Sequence, residues 1–307
     1  MLSRMLSRML RTVMAAGALT LALAAPSYAQ LSANLGALTP DNVKGYLDPL
    51  PKALSSTLNM AEFTSAKIPL AGFNLTVGIE AMGVTFADKD RTYSPKDPSG
   101  FTSTASVAAP TVIGDVLSVQ QPGQGGTTLF HPGGFDISQF VIAVPQVSIG
   151  SVMGTRAVLR WVQFDAGNSE LGKIKLLGIG VQHSLNRYIQ GLPFDVAAGA
   201  MYQTFSLGND KLIDTKAMHG EITASKKVGL FFQPYVGIGY DTFKMEVNYD
   251  QTVGGSNQSL NVMFDDQNSF HGTVGLLLGF PMVKLHAQVD QGAETGAAIG
   301  LRFGLGN

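Results

Sequence analysis

An all-β fold, a transmembrane antiparallel β-barrel of about 12 strands with 10 to 14 allowed, is the class this sequence predicts. Three observations carry it. The chain opens on an export leader. Most of the remaining chain is strictly alternating strand, with one apolar face and a second face that is small and polar. The turns between those strands alternate between short and long. Period-two alternation places successive side chains on opposite faces, and alternating turn lengths belong to membrane barrels.

The leader comes first. Residues 1–11 carry Arg4, Arg8 and Arg11 and no acid. Residues 13–25 are apolar but shorter than the ~20 residues a spanning helix needs. Ser27-Tyr28-Ala29 then offers small residues at both positions read by signal peptidase. This predicts a signal peptide over 1–29, cleaved between Ala29 and Gln30; an uncleaved anchor is the alternative. The repeated Met-Leu-Ser-Arg leaves Met1, Met5 and Met9 as candidate starts. The 21 Lys and Arg, less the leader's three, leave 18 against 22 Asp and Glu. That balance gives no footprint for nucleic acid. With no cysteine there is no disulfide framework and no thiolate metal site. Gly is high at 36 and charge low at 14%.

Residues 30–66 read as a helical plug or cap. Thr39 before Pro40 is an N-cap with proline at the first helical position, and Asp41 suits the first turn. Val43, Tyr46, Leu47 and Leu50 come next at helical spacing until Pro49 and Pro51 interrupt. A second short helix runs through Ala53, Leu54 and Leu58. A poorly ordered tail is the plainer alternative.

Residues 67–307 read as the barrel. Phe73, Leu75, Val77 and Ile79 form one apolar row. Met82, Val84 and Phe86 then shift phase, which predicts a β-bulge near Ala81. Residues 87–139 are irregular, with short strands inside 102–113 and 126–130. Strands resume over 141–149, 155–164, 171–184, 194–202, 213–225, 230–249, 260–264, 270–280, 283–289 and 297–305. The count is eleven, and bacterial single-chain barrels use even numbers, so a twelfth is sought within 101–140. A soluble sandwich would expose a charged second face. Here that face is mostly Gly, Ala, Gln, Thr and Ser, as a narrow lumen requires. Glu294, Gly296, Ile299 and Leu301 have the spacing of a barrel-assembly signal, so Gly296, Ile299 and Leu301 are the expected contact with assembly machinery. The last strand is expected to pair with the first.

A family resemblance rests on three segments: Gly45-Tyr46-Leu47-Asp48-Pro49-Leu50, Ala109-Pro110-Thr111-Val112-Ile113-Gly114 and Gly178-Ile179-Gly180-Val181-Gln182-His183-Ser184. Over roughly residues 40–307 the chain resembles an uncharacterised outer-membrane barrel family, a domain of unknown function. More distantly it is similar to the long-chain fatty-acid transporters, whose barrels carry an N-terminal plug. The resemblance implies a plugged barrel in a Gram-negative outer membrane, passing small or hydrophobic solutes.

The chemistry-bearing residues are few. Arg156, Arg160, Lys284, His286, Arg302, Glu80, Asp195 and Asp241 are candidates to line the lumen, with Lys173 and Lys175 alongside. Trp161, Tyr202, Tyr240 and Phe280 are candidate interfacial girdle residues. His183-Ser184 invites a hydrolase reading, but neighbours in a strand face opposite ways. Asp165, Asn168 and Glu170 could hold calcium in an outer loop, though a plain turn explains them, and Asp265-Asp266 is a similar pair. No catalytic residue, cofactor or metal is assigned. A passive channel narrowed by its N-terminal segment is the expected function. A non-conducting structural or adhesive barrel is the alternative, and a barrel hydrolase the third.

Overall fold

The computed structural model describes residues 28–165, 172–189, 191–208, 211–253 and 256–305. Three short helices open it: α1 (Tyr28–Gly36), α2 (Pro40–Leu47) and α3 (Pro49–Leu58). Residues 1–27 of the predicted leader lie outside the described residues, and α1 runs across the Ala29–Gln30 junction. Strand β1 (Ala71–Thr85) comes next. A long connection carries β2 (Thr92–Tyr93), β3 (Ala109–Pro110), β4 (Val119–Pro122) and β5 (Thr128–His131). Then come β6 (Gln139–Val152), β7 (Thr155–Asp165), β8 (Lys173–Ser184), β9 (Asp195–Leu207), β10 (Ile213–Ser225), β11 (Phe232–Val253), β12 (Ser256–Met263), β13 (Gln267–Phe280), β14 (Val283–Gln291) and β15 (Thr295–Leu305).

The sheet closes on itself. β15 pairs β1 from Leu75↔Leu305 to Val84↔Gly296, and β10 pairs β11 from Ile213↔Val247 to Ser225↔Tyr235. Ten strands form the closed barrel and β12 stands outside it. The count is therefore ten, below the central value of twelve and at the low end of the 10 to 14 allowed. The strand sought within 101–140 is not a wall strand: β4 and β5 make a small separate hairpin there. β12 is what made the sequence count odd. It pairs the far end of β11 (Glu246↔Met263), while β13 pairs the near part (Phe243↔Gln267). Both run the same way along β11, with one extra residue between the two registers. β12 is thus the continuation of β13 past the rim, across a one-residue bulge at residues 264–266.

The alternation of turn lengths is looser than the sequence suggests. The β8–β9 connection, described over residues 185–189 and 191–194, lies on the same rim as the tight β6–β7 and β13–β14 turns. That rim also holds the start of β1 and the end of β15 and is the terminal rim; the opposite one is the loop rim.

The phase shift in β1 has a different cause from the predicted bulge. Its pairing with β15 is unbroken from Leu75 to Val84, and its register shift with β6 falls between Ala71 and Asn74. Thr76, Glu80, Met82 and Val84 are all buried on one face. What changes at Ala81 is the chemistry of the lumen. Towards the loop rim the inner wall is apolar, with Met82, Val84, Ile142, Val144, Leu176, Phe205, Phe243 and Met245 in one core with Leu35, Val43, Leu47, Leu54 and Leu58 of the helices. The helices fill that half, so their wall is a protein core and water is excluded from it. Outward faces are apolar along the strands: Ile238 is 71% and Val274 67% exposed.

Candidate functional site

Below the helices the plug becomes an extended stem, residues 59–70, which runs to the terminal rim and into β1. An extended peptide inside a barrel has no strand partner, and its buried backbone groups still need hydrogen bonds. The wall supplies them from side chains. Arg160 donates to the Leu58 carbonyl at 2.9 Å and the Met60 carbonyl at 2.6 Å. Arg302 donates to the Ala61 carbonyl at 3.1 Å and to Thr64 Oγ1 at 2.8 Å. Arg156 donates to the Ser65 carbonyl at 2.5 Å. Gln203 reaches the Leu58 carbonyl and Glu62 Oε1, and the Ala66 amide donates to Ser225 Oγ at 2.9 Å. Three inward arginines therefore grip the stem backbone in succession.

A second set of groups runs round the wall. His219 Nδ1 lies 2.6 Å from Asp241, whose other oxygen is 2.8 Å from His271 Nδ1. His271 Nε2 meets Asp290 at 3.0 Å, and Thr273 and Gln288 donate to the same carboxylate. Tyr235 donates to Gln288 at 2.8 Å and stands 3.5 Å from His286. His286 meets Glu80, which also accepts from Arg302 Nε at 2.5 Å. The belt crosses β10, β11, β13, β14, β1 and β15, and every member named is buried. His219, Asp241 and His271 bring one donor atom each to within 4.8 Å of one another and could close round a cation. In this state those atoms are spent on each other.

Glycine makes the belt possible. β15 lies between Glu80 on β1 and His286 on β14, and Gly300 occupies the intervening position. A Cβ there would overlap both Glu80 Oε2 and His286 Nε2. Gly199 makes the same room for the Phe63 ring and Gly275 for Tyr235.

Of the residues the sequence singled out, Arg160, His286, Arg302, Glu80 and Asp241 lie buried in this network. Arg156 and Lys284 face inward nearer the terminal rim, and Asp195 begins β9 there on the inward side, half-buried. Lys173 and Lys175 are corrections. Both are exposed on the outer side of β8, because Ile174 and Leu176 turn inward onto the plug core. Trp161, Tyr202, Tyr240 and Phe280 are exposed on outward faces, and Tyr240 meets Phe270 edge-on. Ser184 is buried inward while the His183 ring bonds Thr155 and Tyr188, so the two do not meet. Asn168 and Glu170 lie outside the described residues; Asp265 lines an outer pocket and Asp266 pairs with Lys244 at 3.2 Å. Sequence reading missed His219, His271, Asp290 and Glu62. The three wall residues share their strands' inward parity, which is the signal that could have found them. Glu62 carries none, since the stem has no periodicity.

The family model described as a family of unknown function, DUF6588, matches residues 8–305. The chain belongs to that family. No curated protein matches it. Among solved structures it is similar to the outer-membrane protease OmpT of Escherichia coli (9% identity over 78% of this chain and 98% of that one, TM-score 0.30). It is also similar to the outer-membrane channel DcaP of Acinetobacter baumannii (10%, 80% and 100%, TM-score 0.21) and to a Pseudomonas aeruginosa FadL homologue (8%, 76% and 87%, TM-score 0.21). At TM-scores this low the likeness carries no argument, and neither channel nor protease activity follows from it.

Proposed function

We propose that this family member is an outer-membrane barrel that works as a passive channel for small or hydrophobic solutes, closed at rest by residues 30–66. The outward apolar faces suit lipid, since exposed apolar area on this scale marks a buried or membrane surface. The terminal rim is then periplasmic. The observation that carries the channel reading is how the plug is held. Its stem is fixed by side-chain hydrogen bonds, not by strand pairing, and its only covalent link to the wall is at one rim. Ser55 Oγ, both side-chain heteroatoms of Asn59 and Glu62 Oε2 are buried without a hydrogen-bond partner among the described residues. Each such group costs about 1–3 kcal/mol. A permanent filler has no reason to carry them. Once the stem leaves, the lower lumen is a ring of charged and hydrogen-bonding side chains that water can solvate.

The test is conductance in planar bilayers. The intact chain is expected to be nearly silent, and a chain lacking residues 30–66 to conduct steadily. A truncated barrel that is folded, judged by heat-modifiable gel migration, yet still silent would overturn the channel. The structural reading would then stand, favoured by the burial of most of α3 against the wall.

A further inference from the structure

We infer that the terminal mouth is a binding site for a small oxyanion, of the phosphate or carboxylate class. A pocket of about 70 Å³ opens there between the stem and the wall. Its lining includes Lys67 of the stem, Arg156 of β7, Lys227 of the β10–β11 turn, Lys284 of β14 and Arg302 of β15, and no carboxylate. Among the described residues only Arg302 has a carboxylate within 4 Å, Glu80, which lies outside the pocket; Asp195 attracts Lys67 at longer range. Arg156 bonds neutral oxygens, those of Gln182 and Ser65. Lys67, Lys227 and Lys284 form no ion pair within 4 Å among the described residues.

Five cations converging on one small space repel one another. Partial burial makes that repulsion stronger than on an open surface. An anion in the pocket relieves it and meets donors already in place: the arginine fork, the ammonium groups and the hydroxyls of Thr64, Thr76 and Ser148. The volume admits a group the size of phosphate. The pocket faces the lumen and not the outer apolar surface, so the ligand is a solute or the anionic end of one. None of this depends on whether the barrel conducts.

Titration of inorganic phosphate into the intact detergent-solubilised protein, followed by the thermal unfolding midpoint at constant ionic strength, tests the site. A saturable rise is expected with phosphate over matched chloride, with acetate as a second arm to rank carboxylate. Lys284→Gln is expected to weaken phosphate binding at least tenfold, as is Lys227→Gln, an exposed turn substitution that leaves the wall intact. Each is expected to raise the phosphate-free midpoint, since it removes repulsion. Equal midpoints in phosphate and chloride would overturn the site. So would variants that titrate like the parent.

Discussion

Arg160 shows what a buried charge does in this lumen. It is fully buried, and its guanidinium serves Gln146, Gln203, the Leu58 carbonyl at the end of α3 and the Met60 carbonyl of the stem. Replacing it by Ala strands those acceptors, a loss of about 3 kcal/mol. The expected result is a lower temperature for the folded-to-unfolded gel shift, and faster protease cleavage between residues 58 and 66. Gly300 makes a sharper test, because it concerns one carbon. Gly300→Ala forces a methyl group into the Glu80–His286 contact and is expected to destabilise by about 2 kcal/mol. Gly272→Ala, where a Cβ meets nothing within 4 Å, is expected to be neutral. Urea midpoints for the pair measure the difference, and equal values would remove the glycine argument. None of these contacts was legible in the sequence. Parity could place Arg160, Arg302 and His286 on an inward row. It could not say that the two arginines would bond backbone carbonyls of a segment about 100 to 240 residues away.

Strands were the most legible elements, because alternation is a local signal. It misled where the inner wall stops being polar. Ile174, Leu176, Met82 and Val84 point inward although they are apolar, so apolar does not mean outward beside the helices. The same effect turned Lys173 and Lys175 out. The long connection, residues 86–138, was legible as irregular with short strands, and β3 and β5 fall where two were expected. It covers α2: the Tyr46 phenol donates to the Gly133 carbonyl at 3.0 Å and burial pushes it up to about 12, while the Asn42 side chain bonds the Lys96 backbone at both atoms. His131 in β5 is buried against Tyr93 with Nε2 on Gln121, and burial pulls its imidazole below the ordinary 6.5. A base depressed by folding is neutral in both states at high pH. As pH falls below 6.5 the opened form gains the proton first, so this cover loses stability. Protection factors in residues 119–131, with the intrinsic pH dependence of amide exchange divided out, are expected to fall between pH 7.5 and 5.5, and His131→Gln to flatten that dependence. The β11–β12 extension grips the plug from the other side, with Gln251 donating to the Leu38 carbonyl at 3.1 Å. Gln251→Ala is expected to cost about 1 kcal/mol, seen as faster exchange in α1 with the wall unchanged.

At the scale of the whole molecule, closure was the part of the prediction that followed best from first principles. An alternating sheet with few charges to protect an edge must hide that edge, and β15 pairing β1 does so. Strand number followed less well, because a strand that leaves the barrel looks like one that stays. The plug was expected as a helical segment. Its extended stem was not, since no pattern in residues 59–70 marks it.

The stem joins the wall at Ala71, on the rim where β15 ends, and residues 28–58 pair with no strand. The first part of the chain is therefore held as a ligand is held, and the wall is its receptor. Cut at the exposed Leu70, the two pieces should reassociate. A synthetic peptide of residues 30–66 added to the shortened barrel is expected to restore the unfolding temperature of the intact protein with a measurable dissociation constant. Loss of the three arginines should weaken that affinity stepwise, and the same peptide should compete with the native segment for its own barrel.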